Sequence, residues 1–111
     1  MEFIENLEGA VIVSDSNGNI VYLNEKAVIN FQKEGGSSLI GKNLKDCHKE
    51  YSNEKIRKMM ETHEKNVYTI EKKGKKKLIY QAPWYHDGRF AGLVELSLEI
   101  PFEMPNFIRE S

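Results

Sequence analysis

The dipeptide Asp87-Gly88 separates two long runs, roughly Lys76 to Tyr85 and Phe90 to Ile100, in which side chains of opposite polarity alternate. Alternation with period two marks a half-buried strand, and Asp-Gly supplies the two positive-φ positions that a tight hairpin turn requires. The C-terminal part of the chain is therefore expected to be an antiparallel hairpin, extended by a third strand, Val67 to Lys72, through a turn at Gly74. In the middle strand Leu78, Tyr80, Ala82 and Trp84 share a face. Reflection through the turn at Asp87 sets them opposite Leu96, Val94, Gly92 and Phe90, giving one apolar side for helices to cover. The other side carries Gln81, Glu95, Ser97 and the lysines, and is expected to meet water or a partner.

The N-terminal part has its own hairpin signal. From Leu7 to Asn24 two apolar, β-branched runs flank Asp15, Ser16, Asn17, Gly18 and Asn19, all turn formers. Asn24 then stands before Ala27, Val28 and Phe31 at helical spacing, with Gly35 and Gly36 ending the pattern, so it is expected to cap a short helix. Residues Ser37 to Tyr51 suit short helical turns, whereas Ser52 opens a longer helix with Ile56, Met59 and Met60 on its buried stripe. The element order is β-β, helices, β-β-β, an α+β architecture.

With 111 residues the chain holds one domain, here taken as residues 1–111 with a core from about 7 to 100 and an apolar tail. Sixteen basic against seventeen acidic residues leave a formal charge of -1, so no whole-surface field draws nucleic acid or an anionic membrane. The N-terminus lacks the basic start of a signal peptide, and nothing approaches the roughly 18 consecutive apolar residues of a membrane span. A cytoplasmic location follows as the expectation. The single cysteine, Cys47, makes neither an internal disulfide nor a thiolate metal cage, which suits a reducing compartment.

The segment GAVIVSDSNGNIVYLNEKA resembles the opening hairpin and helix cap of the PAS family, and LIGKNL resembles the segment before that family's long helix. The pattern D-x-x-G-x-I-x-x-x-N falls on Asp15, Gly18, Ile20 and Asn24, and the similarity runs from Leu7 to about Ile100. The resemblance implies a five-stranded antiparallel sheet whose helices cover one face and enclose a small cavity. It also implies a sensory or regulatory module of bacterial-style signal transduction, binding a small ligand or cofactor, or simply dimerising. Most such domains signal to an attached kinase, cyclase or DNA-binding domain. This chain ends soon after its last strand, so the expected output is a separate protein, unless it lies beyond this sequence. A homodimer is the other expected partner.

Five residues are candidates for the pocket: Cys47, His48, Tyr51, Tyr80 and Trp84. A thiolate or imidazole at Cys47-His48 could ligate haem iron, sense oxidation or hold a ligand, against the plain alternative of a buried thiol beside a solvated histidine. Haem-binding members carry their histidine near the start of the long helix, a place that falls close to Ser52. The cofactor therefore stays open, with haem a minor reading. Flavin photoreceptors place a reactive cysteine directly after an asparagine, but Leu44 follows Asn43 here. An aromatic stripe such as Tyr80, Trp84 and Phe90, with Met59, lines a pocket in one reading and is ordinary core in the other.

Other groupings suggest less. His63 and His86 fall at one end of the sheet, but a metal site needs three or four ligands and no acid cluster stands beside them. The run KKGKKK from Lys72 to Lys77 is a solvated hairpin tip with no interleaved aromatic. No nucleophile motif, phosphate-cradling loop or carboxylate pair argues for an enzyme. The tail carries Phe102, Met104, Phe107 and Ile108, and is expected to cover the open sheet face, form a dimer contact or fold back on the core. The rival to a ligand sensor is thus a ligand-free interaction domain.

Overall fold

The computed structural model describes residues 1–46 and 50–110, those at 50–53 by backbone alone. Its helices are α1 (Glu2–Glu5), α2 (Glu25–Asn30) and α3 (Glu50–Thr62), and its strands β1 (Ala10–Ser14), β2 (Ile20–Leu23), β3 (Asn66–Lys72), β4 (Lys75–His86) and β5 (Arg89–Ile100). Short 3-10 turns at Gln32–Glu34, Gly36–Leu39 and Leu44–Asp46 fill the region between α2 and α3. The five strands form one antiparallel sheet in the order β2-β1-β5-β4-β3. Because β2 and β3 occupy opposite edges, the chain between them must cross the sheet. That crossing lays the helices over one face.

Local chemistry sets the turns. The Asp15 carboxylate accepts from the backbone N–H groups of Asn17 and Asn19, both at 2.9 Å, which closes the first hairpin. Lys73-Gly74 (φ 52° and 76°) and Asp87-Gly88 (φ 51° and 77°) each place two successive residues at positive φ, the geometry that matches strand twist in a two-residue hairpin.

Asn24 does more than cap α2. It is fully buried, and its Oδ1 accepts from the backbone N–H of Ala27 at 3.0 Å and of Val11 at 2.9 Å. Its Nδ2 donates to the carbonyls of Ile4 and Gly9, each at 2.9 Å. All four hydrogen-bonding positions of the carboxamide are filled, so one side chain joins the N-terminal segment, β1 and α2. The long helix begins at Glu50, two residues before the expected cap at Ser52.

Strand register separates the faces. Tyr80 pairs with Leu96, Ala82 with Val94 and Trp84 with Gly92, two residues beyond the simple reflection. An irregularity between Trp84 and Tyr85 then pairs Tyr85 with Phe90, so Phe90 leaves the stripe and packs toward the core beneath the helices. The outer stripe of Leu78, Tyr80, Ala82 and Trp84, with Val94, Leu96 and Leu98, lies on the face away from α3.

This corrects the expected sidedness. The rows beneath the helices are Ala10–Ser97–Ile79–Tyr68 and Ile12–Glu95–Gln81–Asn66. The inner core joins Ala10, Ile12, Ile20, Leu23 and Leu93 of the sheet to Ala27, Leu39, Leu44 and Met59 above it. Its apolar content comes mainly from β1, β2 and the helical layer, which lets β4 and β5 carry polar groups there. Residues 101–110 do not fold back on this core: Phe107 and Ile108 are 71% and 90% exposed.

Candidate functional site

The alternation of strands, each offering every second residue to one face, brings Asn66 of β3, Gln81 of β4 and Glu95 of β5 into a row. Asn66 Nδ2 donates to Gln81 Oε1 at 3.0 Å, and Gln81 Nε2 donates to Glu95 Oε1 at 2.6 Å. Gln81 is buried and Glu95 half-buried. Beside this ladder, Ser14 Oγ accepts from the Leu93 N–H at 3.3 Å. Burial, and secondarily the Glu95 charge, push the Tyr68 phenol above its ordinary value.

A cavity of about 30 Å³ lies against Gln81 and Glu95, bounded by Ile12, Ser14 and Leu93 below and by Leu44 and Ile56 above. That is room for one or two water molecules. Leu44 and Ile56 also line a larger cleft of about 490 Å³, which opens between the β1–β2 turn and α3 and includes Asn17, Asn43 and Met60. Two apolar side chains, Leu44 and Ile56, thus stand between a small, mostly apolar recess edged by Gln81 and Glu95 and a roomier cleft that Lys45, Glu54 and Arg57 also line.

The sequence-derived candidates do not gather at this recess. Cys47 and His48 lie outside the described residues, and Tyr51 is described only as backbone within α3. Tyr80 and Trp84 are on the outer face, where the Trp84 indole N–H donates to the Ser14 carbonyl at 2.9 Å. Met59 is in the inner core. Strand alternation alone puts Gln81 and Glu95 on the face expected to meet water, and it does not single out Asn66. Their signal was present as three polar residues at matched register positions on adjacent strands.

The remaining groupings resolve simply. His63 stacks on Phe90 with ring centroids 4.0 Å apart, while His86 Nε2 sits 3.3 Å from the Asp87 carboxylate. Neither offers a ligand to the recess. No group of three or more histidine, cysteine or acidic side chains among the described residues could hold a metal ion. At the lysine-rich hairpin, Lys75 pairs with Glu99 at 3.5 Å on the surface. No helix is long and apolar enough to cross a membrane among the described residues.

A family model described as the PAS fold matches residues 2–80, and the chain belongs to the PAS family. No curated protein matches it. Among solved structures, a C-terminal domain from Streptococcus mutans is 19% identical with a TM-score of 0.72, the match covering 88% of this chain and 80% of that one. The Aer2 receptor from Vibrio cholerae, a dual PAS-heme oxygen sensor, is 16% identical with a TM-score of 0.63, over 84% of this chain and 95% of that one. A sensory box sensor histidine kinase from the same organism is 17% identical with a TM-score of 0.63, over 91% and 89%. These likenesses show the fold.

Proposed function

We propose that this chain is a sensory PAS module of cytoplasmic signal transduction that binds a small ligand between its inner sheet face and α3. It passes the signal on through dimer or partner contacts and performs no catalysis of its own. The observation that carries the reading is the hydrogen-bonded row Asn66–Gln81–Glu95 beside a recess. A core evolved only for packing gains little from three such groups. Native mass spectrometry of gently purified protein, followed by extraction of anything released on denaturation, tests it. A stoichiometric small molecule, lost in an Ile56→Trp variant that fills the recess mouth, is the expected result. Protein that is empty after isolation and silent in a metabolite binding screen overturns it.

Haem enters this proposal only through Cys47 or His48. A Soret band on haem addition that disappears in Cys47→Ala or His48→Ala assigns it, and a flat visible spectrum removes it. Tyr80 and Trp84 are assigned to the outer surface instead of the pocket.

A second reading, a ligand-free dimerisation or interaction domain, is favoured by the exposed Phe102, Met104, Phe107 and Ile108 beside an apolar outer sheet face. Deletion of residues 102–111 is expected to lower the molar mass measured by light scattering from dimer to monomer. An unchanged mass counts against a role for the tail in self-association.

A further inference from the structure

The row under α3 has a direction, and Glu95 sets it. An ionised carboxylate only accepts, so Gln81 must turn its NH₂ toward Glu95 and its carbonyl toward Asn66, which in turn must present its own NH₂. The row therefore ends in acceptors on both sides: the second carboxylate oxygen of Glu95 and the Oδ1 of Asn66. Such a row calls for a ligand that donates.

Charge narrows the class further. Glu95 belongs to none of the ion pairs formed among the described residues, which join Arg57 to Glu54, Lys75 to Glu99 and His86 to Asp87. Its carboxylate is half-buried against Ile12, Leu93 and Ile56, and its one hydrogen-bond partner among the described residues is a neutral amide. A ligand filling the recess takes that carboxylate out of water. A neutral donor offsets only part of the lost hydration and an anion adds repulsion, whereas a cation replaces water with a charge-assisted bond that also balances the charge.

Shape supplies the rest of the ligand. The recess of about 30 Å³ admits a group the size of a water or an ammonium, while the adjoining cleft of about 490 Å³ has Leu44, Ile56 and Met60 as its apolar walls and is also lined by Lys45 and by the Arg57–Glu54 ion pair. We infer that the ligand sensed by this domain is a small primary amine, its ammonium on Glu95 and its apolar body between Ile56, Leu44 and Met60. This inference rests on the small-ligand reading above and names the chemistry of that ligand.

The test compares three probes of one shape by isothermal calorimetry and ligand-observed NMR: phenethylamine, 2-phenylethanol and 3-phenylpropionate. Phenethylamine is expected to bind at least tenfold more tightly than the alcohol, with no binding of the acid. Glu95→Gln should weaken the amine at least tenfold, and Glu99→Gln, on the same strand but exposed and paired with Lys75, should leave it unchanged. Equal affinity for the alcohol or the acid, or undiminished amine binding in Glu95→Gln, overturns the amine assignment. If the variant does not fold, the ranking of the three probes on the unmodified protein decides alone. Alcohol or acid binding that Ile56→Trp abolishes leaves the pocket reading standing while the amine falls. Absence of binding by all three probes also overturns the amine, and the extraction experiment then judges the pocket separately.

Discussion

Gln81 donates a 2.6 Å hydrogen bond to Glu95 from the neighbouring strand, beneath the long helix. At the same time it accepts from Asn66, so one carboxamide holds two polar partners in register. Gln81→Leu removes both bonds and leaves the two partners unsatisfied. A loss of about 2 kcal/mol is expected, since an orphaned buried polar group costs about 1–3 kcal/mol. Urea denaturation checks the value, and a change below a few tenths would mean that water replaces the amide.

Asn24 fills all four of its hydrogen-bonding positions in a site closed to solvent. Asn24→Ala is expected to cost about 3 kcal/mol, above the roughly 1 kcal/mol of an ordinary cap, because Val11 N–H and the Ile4 and Gly9 carbonyls lose partners too. Asn24→Asp should recover only the acceptor half. Equilibrium denaturation of the two variants separates these contributions.

Gly92 has φ 145°, and a Cβ added there would run into the Ser14 carbonyl. Gly92→Ala must therefore push β1 from β5 or strain the backbone, and a cost on the order of 3 kcal/mol is expected. Trp84→Phe, which removes the indole donor to that same carbonyl, should cost about 1 kcal/mol. Thermal unfolding of both variants gives the ranking.

The Tyr22 hydroxyl donates to a Glu5 carboxylate oxygen at 2.6 Å. That bond first, then burial and the negative charge of Glu5, raise the Tyr22 pKa above its usual 10.0. The folded state thus holds this proton more tightly than the unfolded state. The stabilisation is complete below pH 10.0 and is lost as the pH rises through the raised folded value. Tyr22→Phe should flatten the alkaline fall in stability relative to the unmodified protein. Denaturation midpoints between pH 8 and 11 measure it.

Met59 is buried on the sheet-facing side of α3, in the inner core. Met59→Ala should cost about 2–4 kcal/mol through lost transfer energy and the cavity left behind. Met60→Ala, on the half-buried flank lining the cleft, should cost less. Chemical denaturation distinguishes the two.

The turns and the cap were legible because their chemistry is local: Asp15 closes its own loop, Asp87-Gly88 adopts its own positive φ, and Asn24 meets Ala27 three residues on. The sidedness of the sheet was not. On β5, Val94, Leu96 and Leu98 form a more apolar set than Leu93, Glu95 and Ser97, yet the helices cover the second set. Alternation divides a strand into two faces without saying which one the crossing chain will cover. Glu95 is acceptable there because Gln81 satisfies one of its oxygens, a long-range pairing that no window of sequence displays. The bulge between Trp84 and Tyr85, which turns Phe90 inward toward His63, is equally a product of tertiary packing.

The strand order has a consequence for how the molecule is made. β5, the last of these five strands to leave the ribosome, is the one that joins the hairpin β1–β2 to the hairpin β4–β3. Ala10 waits for Ser97 and Val13 for Val94, so until that strand emerges the sheet exists only as halves without a shared ladder. Assembly is therefore held back until β5 has emerged, and a chain cut short before Arg89 forfeits the whole fold instead of one edge.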